Sequence, residues 1–360
     1  MKKIDILDLS PKELEDLVSG LGERPYRVGQ LARWIYKKNI RSFEEMTDLS
    51  KGFRSTLKDV ARLSSIRLRR EQTSRDGTKK FLFELEDGSR IESVLIPDAH
   101  RLTLCISTQV GCLMGCAFCL TARLRRIRNL SPGEIVDQFL AVRELSPYGV
   151  TNIVFMGMGE PLDNFESTVK AIEILTHPGY VGMSPRRVTV STSGLVPEIA
   201  ELGERAPVNL SISLNASNDR LRSRLMPVNN KYPLKTLIEA GASYPLGGRG
   251  KLTFEYVLIK DVNDAKSNAV ELVGLLRGIR CMVNLIPYNE APPLEYQTPE
   301  RDRALQFQKV LIDGGIRAMI RKSRGRDILG ACGQLVADYP LEETGARSGA
   351  QSAAVAALPS

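Results

Sequence analysis

Apolar residues near the start of the chain recur at the spacing of an amphipathic helix. Ser10-Pro11 is typical of a helix start, because serine caps the first backbone N–H groups and proline fits the first helical position. Leu14 and Val18 then fall on one face, and an apolar stripe over residues 27–38 predicts a second helix. We therefore expect a helical accessory domain over residues 1–60, whose basic outer face is either simply solvated or binds RNA.

The pattern changes after residue 60. Residues 61–97 form a β-rich connector, in which the Asp87-Gly88 turn between two apolar runs predicts a hairpin. From residue 98 to residue 340, apolar runs of strand length alternate with helical segments. The predicted strands are residues 102–107, 152–156, 187–191, 208–214, 252–259, 282–286 and 316–320.

Repeated strand–helix units imply an α/β fold with a parallel sheet and helices outside it. About six such units favour an incomplete (β/α)6-type barrel over the complete eight-fold barrel, and a doubly wound open sheet is the alternative. Residues 341–360 are rich in alanine, glycine and serine, so we predict a disordered tail there.

Charge and composition narrow the function. The 360 residues carry a formal net charge of +8, which favours a polyanionic partner such as a nucleic acid. No run of about 18 apolar residues is present, and the N-terminus lacks the apolar segment of a secretion signal, so we expect a cytoplasmic protein without a membrane partner. His100 and His177 are the only histidines, which leaves little material for histidine-based catalysis.

The strongest chemical signal is the CxxxCxxC spacing of Cys112, Cys116 and Cys119 directly after a predicted strand. Three thiolates leave one coordination position open, as reactive metal sites do. A zinc site completed by a distant residue is the alternative. The spacing resembles the signature of the radical S-adenosylmethionine superfamily, whose [4Fe–4S] cluster binds S-adenosylmethionine at its open iron and cleaves it to a 5′-deoxyadenosyl radical.

Further motifs resemble the RlmN/Cfr family, whose members methylate adenosine in ribosomal RNA. They follow the family's order and, with the Arg24-Pro25-Tyr26-Arg27 region, span most of the chain. They are Leu104-Cys105-Ile106-Ser107-Thr108-Gln109-Val110-Gly111-Cys112, Gly157-Met158-Gly159-Glu160-Pro161, Val190-Ser191-Thr192-Ser193-Gly194, Ser211-Ile212-Ser213-Leu214, Val283-Asn284-Leu285-Ile286-Pro287 and Gly330-Ala331-Cys332-Gly333-Gln334-Leu335.

This resemblance implies a set of residues that bind S-adenosylmethionine. Most of them fall at or near the carboxyl ends of predicted strands, the face where barrels of this kind build active sites. Glycines in the Gly157–Glu160 turn would let a ligand approach the backbone. The implied residues are Gly159, Glu160, Ser191, Ser213, Leu214, Asn215 and Asn284.

The resemblance also implies a cysteine relay that consumes two molecules of S-adenosylmethionine per turnover. The cysteine matching Cys332 takes a methyl group from the first, and the second supplies the radical that removes hydrogen from that methyl group before it adds to adenine. The thiol matching Cys105 then resolves the protein–RNA adduct through a transient disulfide with Cys332. Glu92 matches the proton acceptor, although an exposed edge-strand carboxylate is the alternative, and Cys281 is interpreted as a buried small apolar residue.

The sequence departs from the family at several positions. Arg125-Arg126 replaces a common Gly-Phe pair, and Asn215 stands where many members carry histidine. The basic run from Arg321 to Arg326 is interpreted either as a solvated loop or as a grip on RNA phosphates.

The leading hypothesis is a carbon-2 adenosine methyltransferase for large-subunit (23S) ribosomal RNA and transfer RNA. It would act as a monomer and receive electrons from a reductase or a flavodoxin-type protein. Carbon-8 methylation, which confers antibiotic resistance, is the nearest alternative, and the N-terminal domain favours carbon 2. A zinc-stabilised RNA-binding protein and a radical enzyme for a small molecule or peptide are alternatives from other classes.

Overall fold

The N-cap expected at Ser10 begins the first helix, and it is part of a capping box with Glu13. The computed structural model describes residues 3–124, 127–146, 148–246 and 252–338. Ser10 Oγ accepts from the Glu13 backbone N–H at 3.2 Å, and Glu13 Oε2 accepts from the Ser10 N–H at 2.7 Å, which confirms the predicted helix start. The N-terminal helices are α1 (Pro11–Gly20), α2 (Tyr26–Ala32) and α3 (Lys51–Val60).

Short parallel strands close this N-terminal unit. Strand β1 (Ile4–Asp5) pairs with β2 (Ala61–Arg62), which brings the two ends of the unit together. Helix α2 continues as a π-helical turn over Arg33–Lys37. The helix predicted for residues 27–38 is therefore present, with α-helical geometry in its first half and π-helical geometry in its second. Trp34, Ile35 and Tyr36 are buried by that turn.

The rest of the described chain is organised by a ten-stranded sheet. Its strands lie in the order β14-β13-β12-β11-β10-β9-β6-β5-β4-β3. The members are β3 (Arg67–Thr73), β4 (Lys79–Glu84), β5 (Arg90–Asp98), β6 (Arg101–Ile106), β9 (Asn152–Phe155), β10 (Val188–Thr192), β11 (Asn209–Ser213), β12 (Leu252–Leu258), β13 (Met282–Pro287) and β14 (Arg317–Ile320). Two further strands, β7 (Gln109–Val110) and β8 (Arg128–Asn129), pair beside it.

Parallel pairing runs from β6 through β9 to β14, and each crossover carries at least one helix. Among the described strands β14 pairs only with β13, so the barrel stays open and the predicted incomplete barrel is confirmed. The crossover helices are α4 (Pro132–Leu145), α5 (Phe165–Thr176), α6 (Val196–Arg205), α7 (Asp219–Leu225), α8 (Leu234–Ser243), α9 (Lys266–Leu275) and α10 (Arg301–Asp313).

The connector continues the barrel sheet. Strands β3, β4 and β5 pair antiparallel with one another, and β5 pairs antiparallel with β6, the first strand of the barrel. The predicted hairpin is therefore present, and it extends the barrel sheet on the side opposite to β14. This extension lies against the loop that follows β14.

The N-terminal unit packs on the start of α4. Asp8 Oδ1 accepts from the Gly133 N–H at 2.9 Å, and a side chain at Gly133 would stand 2.9 Å from Leu7, so only glycine allows this approach. Buried Asp137 pairs with Arg41 and accepts from the Ile66 N–H at 2.8 Å. One carboxylate thus joins the helical unit, the connector and the barrel.

No helix in the described part of the chain is long and apolar enough to cross a membrane. Arg125, Arg126 and the predicted tail over residues 341–360 lie outside the described residues.

Candidate active site

A cavity opens at the carboxyl ends of the parallel strands, where the topology predicts the site. Most of the predicted site residues meet on its wall. They are Cys105, Cys112, Cys116, Cys119, Gly159, Glu160, Ser191, Ser213, Asn215 and Cys332. Residues that are more than 200 positions apart in the chain are therefore brought to one chamber by the parallel sheet and the loop after β14.

The loop that carries Cys112, Cys116 and Cys119 is fixed by backbone hydrogen bonds. The Ala117 N–H donates to the Leu225 carbonyl at 2.9 Å, and the Leu120 N–H donates to the Gly333 carbonyl at 2.8 Å. Burial raises the pKa of all three thiols, and the neighbouring thiols raise that of Cys112 further. Without a cation, these cysteines are therefore neutral; a metal centre would supply the positive charge that makes them thiolates.

The chemistry of three cysteine thiols on one short loop fits an iron–sulfur cluster with one open iron. No group of three potential ligands within the described ranges converges tightly enough to hold one metal ion. In a [4Fe–4S] cluster each thiolate binds a different iron, so the three sulfurs stand further apart than the ligands of one zinc ion. All three thiols are free and line the same cavity.

Glu160 is held at the strand end by backbone donors. Its Oε2 accepts from the Ser193 N–H at 2.7 Å and its Oε1 from the Leu162 N–H at 3.1 Å. Burial raises the pKa of this carboxyl despite those bonds. The preceding Gly159 has φ +100°, and a Cβ there would stand 2.6 Å from Gln109. Glycine is thus required to bring the acid into the cavity, where it can hold an amino group.

The other predicted cofactor contacts divide into two groups. Ser191, Ser213 and Asn215 line the cavity, and the nearby Ser193 hydroxyl is buried without a hydrogen-bond partner. Such an unsatisfied group is expected where a polar ligand binds. These features fit S-adenosylmethionine.

Leu214 and Asn284 do not line the cavity. Leu214 is fully buried, its N–H donates to the Glu255 carbonyl at 2.9 Å, and its carbonyl accepts from Arg222. Asn284 lies in the middle of β13, whereas the cavity is lined by Ile286 near the end of that strand. Asn284 was expected at or near a strand end, and the structure places it as the third residue of β13, off the cavity wall.

Asn215 has a structural task of its own. It adopts φ 58°, a left-handed conformation that asparagine tolerates. Its Oδ1 accepts from the Val257 N–H at 2.8 Å, and its carbonyl accepts from Asn263 at 2.9 Å. The residue that replaces the family's histidine therefore fixes the turn after β11.

Cys105 and Cys332 face the cavity from opposite parts of the chain. Cys105 is buried in β6, whereas Cys332 is exposed on the loop after β14, and both are free thiols. Surrounding protein raises the pKa of the Cys332 thiol, and the Arg321 guanidinium opposes that rise. Burial is the main cause that raises the pKa of Cys105, and Cys332 adds to it, which is consistent with two thiols in one chamber. Cys281 lies outside this cavity.

The basic run after β14 belongs to the cavity wall. Residues 321–324 line it, and Arg321 Nη1 lies 3.3 Å from Glu255 Oε1. The sequence singled out the charge of this run but not Glu255, which looks like any other strand residue until the fold is known. The run is therefore more than a solvated loop, since its first members border the reaction chamber.

Glu92 is neither exposed nor on a sheet edge. It is 1% exposed on β5, between β4 and β6, and Lys80 Nζ lies 2.8 Å from its Oε1. Its Oε2 accepts from the Val336 and Ala337 N–H groups at 2.9 and 3.0 Å. Lys80 also donates to the Leu329 carbonyl at 3.4 Å. The pair therefore clamps the Cys332 loop on both sides of the cysteine, and its carboxylate is not on the cavity wall.

Replacing Lys80 with methionine is expected to destabilise the protein by about 3–5 kcal/mol, because it leaves Glu92 buried without its cation. The double variant Lys80→Met/Glu92→Gln should recover most of that loss, since a glutamine oxygen still accepts from the loop. Urea unfolding of the apoprotein measures both. Lys79→Met is the matched control, because the Lys79–Glu71 pair is part-exposed and worth about 0.5 kcal/mol. Equal losses at the two lysines would contradict the clamp.

Asp76 gives the same loop an acid-sensitive anchor. Although burial opposes ionisation, hydrogen bonds from Thr78 and the Gly325 N–H lower the pKa of Asp76 to about 2. The pKa of Asp76 is therefore lower in the folded state than its value near 3.8 in the unfolded chain. Its ionised carboxylate stabilises the fold fully above pH 3.8, and this stabilisation is lost as the pH falls towards 2. We expect a loss of about 1 kcal/mol, allowing for solvent screening. Urea unfolding of wild type and Asp76→Asn measures this at about pH 5 and about pH 2.5. The difference in the free energy of unfolding between the two proteins should be smaller at the lower pH. The same difference at both pH values would contradict the role of Asp76.

Comparisons with known proteins cover both parts of the chain. Residues 4–63 match the model of the ribosomal RNA large subunit methyltransferase N-terminal domain, and residues 106–273 match that of the radical SAM superfamily. The protein named dual-specificity RNA methyltransferase RlmN in Syntrophotalea carbinolica is 50% identical over 92% of this chain and 90% of its own. The protein of that name in Syntrophus aciditrophicus is 50% identical over 93% of this chain and 97% of its own.

A solved structure extends this similarity to the fold. The crystal structure of a radical SAM methyltransferase from Sphaerobacter thermophilus matches with a TM-score of 0.88 and 43% sequence identity. The match covers 93% of this chain and 100% of that one. The similarity therefore includes the N-terminal helices, the sheet extension and the barrel together.

Proposed function

This chain belongs to the RlmN family of dual-specificity RNA methyltransferases, and we propose that it methylates carbon 2 of adenosine in 23S ribosomal RNA and in transfer RNA. It is a radical S-adenosylmethionine enzyme whose family uses a [4Fe–4S] cluster and two molecules of S-adenosylmethionine per turnover. The observation that carries the proposal is a single cavity that contains Cys105, the three clustered cysteines and Cys332.

The residues of the cavity have distinct tasks in this proposal. Cys112, Cys116 and Cys119 would hold the cluster, while Gly159, Glu160, Ser191, Ser213 and Asn215 would orient S-adenosylmethionine. When bound, these two groups supply a transferable methyl group and a radical able to remove hydrogen from a methyl thioether. The protein's part is to place Cys332 within reach of that chemistry and to keep water away from it.

Cys332 is proposed to carry the methyl group, because an adenine ring carbon is a poor nucleophile and a thiolate is a good one. Its exposed position on a loop leaves room for the target base, which must leave the helical stack to enter. Cys105 is proposed to resolve the adduct by forming a disulfide with Cys332. Both thiols are free and border the same chamber.

Glu92 is proposed as the acceptor of the proton that leaves the adenine carbon. Its carboxylate lies under the Cys332 loop, bound to Lys80 and to two loop N–H groups. Accepting a proton from the base therefore requires the loop over residues 330–337 to move when RNA binds. Leu214 and Asn284 do not line the cavity, and they are proposed to hold in place the residues that do.

Basic residues at the cavity and the need to reduce the cluster indicate which partners the enzyme requires. Lys322 and Arg324 border the opening, and we propose that they bind phosphates of the RNA around the flipped base. The cluster also needs an electron donor, for which a reductase or flavodoxin-type protein is proposed. We infer that the enzyme works as a monomer in the cytoplasm, where its RNA substrates are found.

The test is an anaerobic assay of iron-loaded protein with reductant, S-adenosylmethionine and unmodified ribosomal or transfer RNA. Mass spectrometry of the digested RNA should find 2-methyladenosine and, in the reaction mixture, 5′-deoxyadenosine. The carbon-8 isomer as the product would assign the resistance-type activity instead. Zinc in place of iron, with no cleavage of S-adenosylmethionine, would show that the chain is a non-catalytic RNA-binding protein.

A further inference from the structure

We propose that Arg222 is the built-in counter-charge of the iron–sulfur site and that its positive charge makes the cluster easier to reduce. The inference deepens the proposed function and rests on the cluster that it requires. Arg222 lies on α7, beneath the cavity and not on its wall, and no motif in the sequence marks it. It is 0% exposed and is the largest fully buried side chain among the described residues.

The guanidinium of Arg222 is bound to neutral groups. Its Nη2 donates to the Ser193 carbonyl at 2.6 Å and to the Ser213 carbonyl at 3.1 Å. Its Nε donates to the Leu214 carbonyl and its Nη1 to Asn229 Oδ1, each at 3.1 Å. These bonds use four of the five N–H donors and supply no negative charge. Within the described part of the chain, no carboxylate forms a direct ion pair with this cation.

An uncompensated buried charge is costly, because the interior solvates it less well than water does. Burial lowers the pKa of Arg222 to about 10, so the group is still charged near neutral pH. Arg222 is bound to the backbone carbonyls of Ser193 and Ser213, and both of these residues line the cavity that also contains Cys116. A negatively charged cluster in that cavity would therefore lie next to a buried cation.

The backbone links α7 directly to the cysteine loop. The Ala117 N–H donates to the Leu225 carbonyl at 2.9 Å, and a Cβ at Gly115 would stand 3.5 Å from Pro227. Ser193 connects the cation to an acid of the cavity, because its carbonyl accepts from Arg222 Nη2 at 2.6 Å and its N–H donates to Glu160 Oε2 at 2.7 Å. Arg222 therefore lies one residue behind the cavity wall, close to the loop that carries the three cysteines.

A [4Fe–4S] cluster held by three thiolates is negatively charged, and reduction adds one more negative charge. A fixed cation nearby stabilises the reduced form more than the oxidised form, because the Coulomb energy scales with the cluster's charge. Net charge around a cluster is one of the main determinants of its potential. Removing the charge of Arg222 should therefore lower the midpoint potential.

Arg222 also ties the ends of β10 and β11, so the experiment must separate its charge from its hydrogen bonds. Asn229→Asp does this, because it keeps Arg222 and all its carbonyl bonds but places a carboxylate 3.1 Å from its Nη1. Arg222→Met removes both the charge and the bonds, and Arg222→Lys keeps the charge with fewer bonds. The matched control is Arg224→Met, which removes an exposed charge from the same helix.

Redox titration of the reconstituted proteins, followed by visible absorption and EPR, is the measurement. We expect Asn229→Asp and Arg222→Met each to lower the equilibrium constant for reduction about tenfold, which for one electron is about 59 mV. Arg222→Lys and Arg224→Met should stay close to wild type. Potentials equal to that of wild type in a fully loaded Asn229→Asp or Arg222→Met protein would overturn the proposal.

If neither Asn229→Asp nor Arg222→Met takes up iron, circular dichroism of the two apoproteins shows whether they are folded. A folded apoprotein that rejects the cluster supports the counter-charge, whereas an unfolded one assigns Arg222 to the fold alone. This test is independent of the RNA methylation assay. If the wild-type protein binds and reduces its cluster but does not methylate RNA, the variants should still show the same shifts in potential relative to wild type.

Discussion

Replacing Cys332 with alanine is expected to abolish RNA methylation, with a loss of at least about 10³-fold, because the proposed route passes through a covalent bond to that sulfur. The fold should be unaffected, since the side chain is exposed on a loop. Quantification of 2-methyladenosine in digested RNA measures the loss. Mass spectrometry of the peptide that contains residue 332 should find a methyl group in wild type only.

Cys281→Ala is the matched control for this substitution, because Cys281 is a free cysteine outside the cavity. It should keep full activity, and both variants should bind as much iron as wild type. A Cys332→Ala protein that still forms 2-methyladenosine would exclude the relay and require direct methyl transfer to the base.

Cys105→Ala is expected to trap the enzyme on its RNA. Without the second thiol, the bond between Cys332 and the base is formed but not resolved, so turnover stops after about one cycle. A band of slower mobility should appear on denaturing gels and collapse on ribonuclease treatment. The buried position of Cys105 in β6 makes alanine the mildest replacement, since it leaves only a small cavity.

The double variant Cys105→Ala/Cys332→Ala is the control, and it should give no adduct. An adduct in the double variant would show that another nucleophile captures the RNA. Multiple turnover by Cys105→Ala, with free product and no adduct, would remove Cys105 from the mechanism.

The parts of the site that the sequence predicted are those encoded locally or by strand ends. The cysteine spacing lies within eight residues, and Glu160, Ser191 and Ser213 reach the cavity because parallel strands end on the same face. Cys332 and Cys105 were found through the family resemblance, since nothing in a lone cysteine marks it as reactive. The sheet was predicted from its alternation of apolar runs and helices.

The residues that the sequence did not predict depend on tertiary contacts. Glu92 matched a proton acceptor, but its partner Lys80 is ordinary in sequence and is recognised only because both are buried together. Helix α7 contains three arginines, and local sequence does not show which of them is buried. Arg222 is the buried one because its guanidinium binds backbone carbonyls at the ends of the neighbouring strands. The strand that carries Asn284 was predicted to within one residue, but whether its side chain reaches the cavity depends on tertiary packing.

The sheet extension that clamps the Cys332 loop also sets an order of assembly. Glu92 and Ala337 are 245 positions apart, and Ser74 and Asp327 are 253 apart. The strands that receive the loop contact their neighbours in sequence, so they can form while the rest of the chain is still being synthesised. Cys332 is delivered only after all the strands of the described sheet have been synthesised. A nascent chain therefore contains the three clustered cysteines long before it contains Cys332, and the proposed relay cannot operate until the loop after β14 has been made.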